Sequence, residues 1–242
     1  MEKLRIYLSP SKQPFNRYVV GNTNEEAEMV GVARRMKAIL DEEYECEAIL
    51  ATLTLAIGDE GRAGEARERK CDVYVALHSN AGGQGRASGA VAFYHRNKTE
   101  SRTLAENIVQ ELNAACPIAS NRSRDVADGM DAFDGKGYGE IRVPEQYGMV
   151  PVLAETNFHD NPATAQWIIS SKPAIARAYV NALVRSFPLK RKSEEIIVYN
   201  EATQADKKFY RVQVGAYSKK ENAEEMNRKL KELGIEAYIR YT

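Results

Sequence analysis

The sequence predicts an α/β fold in which a mostly parallel, twisted sheet carries helices on both faces, followed by a small C-terminal β-α-β unit. Short apolar runs typical of strands alternate with longer segments whose apolar residues recur every three or four positions, as in helices. One strand-like run, VYVALHS, is apolar almost throughout, which is typical of a strand buried on both faces. Of the 242 residues, 43% are hydrophobic, which is enough for a buried core.

Local signals predict the first elements. The run KLRIYLS alternates in polarity and is ended by Ser9 and Pro10, so it predicts a strand followed by a loop. Asn24 is a favourable N-cap for EEAEMVGVARRMKAILDEE, in which apolar residues follow the helical period. The following elements are a strand in EAILATL, a short charged helix in GRAGEARERK and the buried strand in DVYVALHS.

The second half of the chain continues the alternation. It predicts a strand in GAVAFYH, a helix in SRTLAENIVQELNAAC, a strand in MVPVLAETNF, and one or two closing helices in NPATAQWIISSKPAIARAYVNALVRSF.

The chain divides into three predicted parts: a main domain over 1–188, a charged linker over 189–207 and a small unit over 208–242. In the small unit, FYRVQVGAYS and IEAYIRYT alternate like strands, and the segment between them is a helix that ends at Gly234. One β-α-β unit of this size is too short to bury a stable core by itself.

Charge and apolar patterning exclude several classes of function. Lys plus Arg equals Asp plus Glu at 34 each, so we expect no binding to nucleic acid or to an anionic membrane. No run approaches the roughly 18 apolar residues of a membrane span, and the first residues lack the apolar core of a signal peptide. We therefore expect synthesis in the cytoplasm with no export signal. The three cysteines have no metal-ligand spacing and are expected to be reduced packing residues.

Two predicted strands end in residues that bind metals or transfer protons. His78 closes one strand before a glycine turn, and Glu155, His159 and Asp160 stand at the end of another or just beyond it. Ligands of α/β sheets bind beyond the carboxyl ends of the strands. A single strand-end histidine is more often structural than catalytic, so the pairing of the two strand ends is what indicates a site.

These segments resemble the zinc-dependent N-acetylmuramoyl-L-alanine amidases of the amidase-3 type. VYVALHSNAGG is similar to the family's strand and histidine motif, and VPVLAETNFHDN to its catalytic-glutamate strand. NTNEEAEMVGVA resembles the segment in which a glutamate ligand opens the first helix. The resemblance extends over about residues 3 to 187, in the same order and with similar spacing.

The resemblance implies hydrolysis of the peptidoglycan amide between N-acetylmuramic acid and L-alanine by a Zn²⁺-activated water. It implies that His78 and Glu25 are zinc ligands and that Glu155 is the general base, which also reprotonates the leaving amine. The alternatives are a helix-dipole role for Glu25 and a salt bridge for Glu155. Asn80 and Arg142 are candidate substrate-binding residues.

One part of the family pattern is missing. The family's first ligand is a histidine in the loop after the first strand, and here that loop reads LSPSKQPFN. Three alternatives follow: His159 supplies the third ligand, which we expect; Gln13 coordinates through its amide oxygen; or the chain has lost zinc and catalysis. His95 has no such support and is expected to face solvent.

The tail carries a second resemblance. FYRVQVGAYSKKENAEEMNRKLKELGIEAYI is similar to the first half of a SPOR domain, a module that binds glycan strands of peptidoglycan. Two chains that each supply one half would form a symmetric homodimer through the tail.

Together these features predict a cell-wall hydrolase that is released from the cytoplasm through a membrane lesion and acts on the wall from inside the cell. A phage or prophage endolysin is expected, with a mother-cell sporulation lysin as a close alternative. The rivals are a non-catalytic peptidoglycan-binding protein that has lost its metal and a different zinc peptidase on the same fold.

Overall fold

The computed structural model describes residues 3–57, 61–192, 217–232 and 238–239. The chain forms two compact units, Met1–Ser193 and Glu194–Thr242. Most of the predicted linker and most of the two predicted strands of the tail lie outside the described residues, so the predicted domain boundaries stay predictions.

Six strands in the first unit form one sheet in the order β2-β1-β3-β6-β4-β5. Every neighbouring pair is parallel except β4 and β6, which are antiparallel. The predicted mostly parallel sheet is therefore confirmed. The strands are β1 Arg5–Pro10, β2 Glu47–Leu50, β3 Val73–Asn80, β4 Val91–Tyr94, β5 Val126–Asp128 and β6 Val150–Phe158.

Helices connect the strands and close the unit. They are α1 Glu25–Glu43, α2 Arg62–Glu68, α3 Thr99–Ala115, α4 Ala132–Gly135, α5 Gly139–Gln146, α6 Pro162–Ser170 and α7 Lys172–Ser186, with a 3-10 turn at Gly129–Asp131. No helix in the described part of the chain is long and apolar enough to cross a membrane.

The sheet has a hydrophobic core on each face, as predicted. Side chains alternate along β3, so Val75 and Leu77 pack with α1, α3, α6 and α7 on one face, whereas Tyr74 and Ala76 pack with α2 and α5 on the other. This explains why VYVALHS is apolar without alternation: both of its faces are covered.

The first helix begins where the sequence predicts. The Asn24 side chain accepts a hydrogen bond from the Ala27 amide at 2.9 Å, and Glu25 is the first helical residue. The Glu25 amide donates to the Asn16 carbonyl oxygen at 3.0 Å, so the loop after β1 is tied to the start of α1. Local capping therefore determines where the Glu25 carboxylate lies.

The segment between β5 and β6 was not anticipated. Its glycine-rich sequence FDGKGYGEIRVPEQYG has no clear helical period, yet it contains α5, which buries Ile141 and Val143. Phe133 and Asp134 in α4 adopt left-handed backbone conformations. Tertiary burial, rather than local preference, keeps this segment folded.

In the second unit, the structure describes the helix α8 Lys220–Glu232. It lies within the segment for which the sequence predicts a helix ending at Gly234. Residues 209–216 and most of 235–242, for which two strands are predicted, are outside the described residues.

Leu104 on α3 is fully buried in the core cluster that includes α1 and α7. Leu104→Ala should lower the free energy of unfolding by about 2–5 kcal/mol, because it leaves a cavity between packed elements. Urea unfolding followed by circular dichroism measures the change. Gln110→Ala, at an exposed position of the same helix, is the control and should change stability by less than about 0.5 kcal/mol; equal effects of the two would contradict the packing described.

Candidate active site

His78 and Glu155 are register partners on the neighbouring parallel strands β3 and β6. Alternation along β3 puts His78 on the same face as Tyr74 and Ala76, the face that α5 covers. His78 and Glu155, which the sequence placed at the ends of separate strands, therefore lie side by side near the carboxyl ends of two central strands.

Glu25 and the loop after β1 approach one nitrogen of the His78 ring. Glu25 Oε1 lies 2.9 Å from His78 Nδ1, and the Gln13 amide nitrogen lies 3.3 Å from the same atom. Asn16 Nδ2 donates to both Gln13 Oε1, at 2.6 Å, and Glu25 Oε2, at 2.7 Å. A loop amide and the carboxylate of the first residue of α1 thus converge on Nδ1.

The other ring nitrogen of His78 contacts Glu140, which sequence reasoning missed. Glu140 Oε2 lies 2.9 Å from His78 Nε2, while Glu140 Oε1 accepts hydrogen bonds from Ser9 Oγ at 2.6 Å and Tyr74 OH at 2.9 Å. His78 and Glu140 are 62 residues apart, and α5 shows no motif or regular period. No local signal in the sequence could have identified this contact.

Charges in this cluster determine the state of His78. Burial alone would lower the pKa of His78, but its hydrogen bonds to Glu140 and Glu25 raise that pKa well above the ordinary value. Burial likewise opposes ionisation of both glutamates, yet the contact with His78 lowers the pKa of each below its usual range. These pKa directions favour a protonated His78 ring between two ionised carboxylates.

Glu155 is the exception among these acids. Burial raises its pKa to about 7; the nearby His78 lowers the value, and the negative charges of Glu25 and Glu140 add to the increase. Its Oε2 is buried and has no hydrogen-bond partner among the described residues. A carboxyl group that titrates near neutral pH and has a free oxygen can accept and return a proton.

His159 lies in a second cluster next to the first. Its Nδ1 is 3.0 Å from Ser79 Oγ, which also accepts from Tyr18 OH at 2.8 Å, and the Tyr18 and His159 rings are stacked 5.1 Å apart. The Ser79 amide donates to Glu25 Oε1 at 3.3 Å. The structure therefore connects His159 to the site through Ser79, and its role as a zinc ligand stays a prediction.

The residues that follow His159 hold the glycine turn after β3. The Asp160 carboxylate accepts from the amides of Gly82 and Gly85, at 3.1 and 3.5 Å, and Asn161 Nδ2 donates to the Ala87 carbonyl oxygen at 2.9 Å. The end of β6 thus fixes the loop that borders the site.

The two predicted substrate-binding residues occupy different positions. Asn80 ends β3, its side chain accepts from the Ala81 amide, and its carbonyl oxygen accepts from the His159 amide at 2.8 Å. Arg142 is half-buried on α5, two residues after Glu140 and therefore roughly 200° around the helix from it. Both roles stay predictions.

The expectation that His95 faces solvent is wrong. His95 is buried, its Nδ1 accepts from the Asn97 amide at 3.2 Å, and its Nε2 lies 3.8 Å from Glu145. It follows β4 directly, and its backbone amide donates to Ser101 Oγ on α3 at 3.0 Å.

The donor set of the first cluster suits a divalent cation in two respects. Ligands of a tetrahedral zinc ion are separated by about 3.3 Å, and Glu25 Oε1 lies at a comparable distance, 2.9 Å, from His78 Nδ1. Glu25, Glu140 and Glu155 also place more negative charge here than one imidazolium offsets. Among the described residues, no group of three or more His, Cys, Asp or Glu side chains is arranged to hold a metal. His78 and Glu25 would supply two donors, and the third would have to come from another side chain.

A groove at the opposite edge of the sheet does not compete for the catalytic role. It has a volume of about 630 Å³ and includes Lys3, Arg5, Lys70 and Asp72 around the start of β1 and β3. Its lining contains no histidine, cysteine or hydroxyl side chain.

Comparison with known proteins connects this geometry to a family. A family model described as N-acetylmuramoyl-L-alanine amidase (Amidase_3) matches residues 15–185, and a SPOR domain model matches residues 192–242. The sporulation-specific N-acetylmuramoyl-L-alanine amidase of Bacillus subtilis is 23% identical over 98% of this chain and 84% of its own length. The amidase CwlM of Bacillus licheniformis is also 23% identical, over 98% of this chain and 85% of its own length.

Solved structures agree on the fold. The N-acetylmuramoyl-L-alanine amidase of Clostridium difficile 630 aligns with a TM-score of 0.62 at 19% identity, covering 76% of this chain and 97% of that structure. AmiC2 of Nostoc punctiforme aligns with a TM-score of 0.63 at 17% identity, with the same coverage. Both resemblances that the sequence suggested, to the amidases and to the SPOR domain, are confirmed.

The raised pKa of Glu155 should make stability depend on pH. The ordinary pKa of this carboxyl group is 4.5, and in the folded chain it is about 7. Between these two pH values the folded chain retains a proton that the unfolded chain releases, so the free energy of unfolding falls as pH rises. Glu155→Gln removes this effect. In chelator-treated protein, the free energy of unfolding of the variant minus that of the parent should therefore be larger at pH 8 than at pH 5, by on the order of 1–3 kcal/mol.

Urea unfolding of the parent and the variant across that pH range measures the difference. Glu100→Gln, at an exposed carboxylate on α3, is the control and should leave the pH profile unchanged. A parent and Glu155→Gln protein with parallel profiles would contradict the environment assigned to Glu155.

Proposed function

The chain belongs to the N-acetylmuramoyl-L-alanine amidase family, and we propose that it hydrolyses the peptidoglycan amide between N-acetylmuramic acid and L-alanine in a zinc-dependent reaction. The supporting observation is the register pairing of His78 with Glu155. It places a metal-capable imidazole beside a carboxyl group whose pKa is raised to about 7 by burial.

We propose His78 and Glu25 as two zinc ligands. His78 would bind through Nδ1, the atom that Glu25 Oε1 approaches, and Glu25 is fixed there by the cap of α1. For the third ligand, His159 is the residue the sequence predicts, and Gln13, coordinating through its amide oxygen, is the alternative; its amide nitrogen lies 3.3 Å from Nδ1. The two alternatives predict different metal contents for single variants.

A zinc ion bound there would polarise the scissile carbonyl group and activate a water molecule. Glu155 would take a proton from the attacking water and deliver it to the leaving amine of L-alanine. Its raised pKa suits both transfers near neutral pH, and its unpartnered Oε2 is available for them. The apolar strand around Glu155 provides the burial that raises this pKa.

Asn80 and Arg142 are proposed to bind substrate, with Asn80 the better placed of the two. Asn80 follows His78 by two residues at the carboxyl end of β3. It is the last residue of that strand, and ligands of α/β sheets bind beyond the carboxyl ends of the strands.

The biological role that the sequence predicts, lysis by a phage or prophage endolysin, remains part of the proposal. A role in sporulation is the second candidate, and the specific observation in its favour is the similarity to the sporulation-specific amidase of Bacillus subtilis over nearly the whole chain. In either role, we propose that the SPOR domain brings the catalytic unit to peptidoglycan and pairs with a second chain.

Metal analysis with product analysis tests the proposed reaction. Purified protein supplemented with zinc should contain about one zinc per chain by plasma mass spectrometry, and Glu25→Ala and His78→Ala should each lose it. Digested peptidoglycan should show new L-alanine amino termini, and Glu155→Gln should release them about 100- to 10,000-fold more slowly while retaining zinc.

His159→Ala and Gln13→Ala identify the third ligand, since loss of zinc in only one of them assigns it. A parent protein that takes up no zinc and releases no amino termini would overturn the proposal in favour of a non-catalytic wall-binding protein. Release of termini other than L-alanine would instead indicate a zinc peptidase.

The tail is predicted to hold two chains together. Deleting residues 208–242 should halve the mass measured by light scattering and reduce sedimentation with insoluble peptidoglycan. An unchanged mass would reject the dimer, and unchanged sedimentation would reject targeting by the tail. Catalysis on soluble fragments of peptidoglycan is the control and should be retained.

A further inference from the structure

We propose that Glu140 is a positioning residue for the metal site: it holds the Nε2–H of His78 and so leaves Nδ1 as the atom that binds zinc. The inference rests on the proposed zinc-dependent function. It adds a residue, from a helix outside the recognised motifs, that acts through His78 rather than on the substrate.

The geometry makes Glu140 a fixed partner of Nε2. The side chains of both residues are buried, and Oε2 of Glu140 lies 2.9 Å from the ring nitrogen. Ile141, the next residue on α5, is fully buried in the core cluster on that face of the sheet. Packing of Ile141 in the core therefore holds the adjacent Glu140 in place.

The surroundings of Glu140 favour an acceptor. Ser9 and Tyr74 both donate to its Oε1, and Ser9 Oγ in turn lies 3.2 Å from a guanidinium nitrogen of Arg62. Arg62 is 1% exposed and also donates to the carbonyl oxygen of Pro10, so a buried positive charge lies behind the serine. With donors at Oε1, the second oxygen is left to accept from Nε2 of His78.

This hydrogen bond decides which nitrogen faces the metal donors. A neutral imidazole has one N–H and one lone pair, so a carboxylate that accepts from Nε2–H leaves the lone pair on Nδ1. Glu25 and Gln13 both approach Nδ1. If Nε2 carried the lone pair instead, that lone pair would be on the opposite side of the ring from Glu25 and Gln13. Carboxylates that orient metal-binding histidines in this way typically contribute 10- to 100-fold to metal affinity.

Glu140→Gln tests the inference, because it keeps the shape of the side chain and removes its charge. Zinc affinity, measured at constant pH by competition with a chromophoric chelator, should fall 10- to 100-fold. In zinc-loaded protein labelled with ¹⁵N-histidine, the Nε2 proton of His78 should resonate far downfield in the parent and move upfield in the variant. Glu145→Gln, on the same helix, is the matched control and should change affinity less than about twofold.

Circular dichroism and thermal melting check that the variants fold. If Glu140→Gln does not fold, Tyr74→Phe removes one anchor of the same carboxylate and should weaken zinc binding severalfold. Parent-like affinity together with an unshifted Nε2 proton in Glu140→Gln would overturn the inference while the proposed function stands. A parent protein that binds no zinc would overturn both, and the parent measurement alone reveals that case.

Discussion

The site depends on one buried ion cluster, in which the His78 ring lies between the carboxylates of Glu25 and Glu140. Burying three ionisable groups is costly unless they contact opposite charges, and here both carboxylates contact the same imidazole ring. The pairing requires β3, the start of α1 and the start of α5 to meet at one point. The packing of these elements against the sheet thus determines which groups contact the His78 ring.

The order of the strands brings those elements together. β6 inserts between β3 and β4, so Glu155 becomes the register neighbour of His78 although 77 residues separate them in the chain. The carboxyl ends of parallel strands meet at one edge, where the loops after β1 and β3 also lie. The groove at the opposite edge lacks comparable side chains. The side chains that could bind a metal or transfer a proton therefore lie at the carboxyl ends of the strands and not at their amino ends.

Neighbouring acids in this site differ because their environments differ. Glu25 and Glu140 remain ionised since His78 contacts both, whereas Glu155 lies near the same charges without a hydrogen bond to its buried oxygen. A carboxyl group held near its neutral state reduces stability but gains the capacity to exchange protons. The unpaired acid is consistent with the proposed acid–base role, and the paired acids with structural and metal-binding roles.

The sequence by itself determined the α/β class, the cap of α1 at Asn24, the two strand ends with His78 and Glu155, and both family resemblances. These features depend on period, capping and turn residues, which act over a few positions and can be read locally. Only the tertiary structure decided that Glu140 contacts His78, that the Gln13 amide nitrogen lies 3.3 Å from Nδ1, and that His95 is buried. Each of these results from segments distant in sequence that pack together, and no local spacing encodes which side chains will meet.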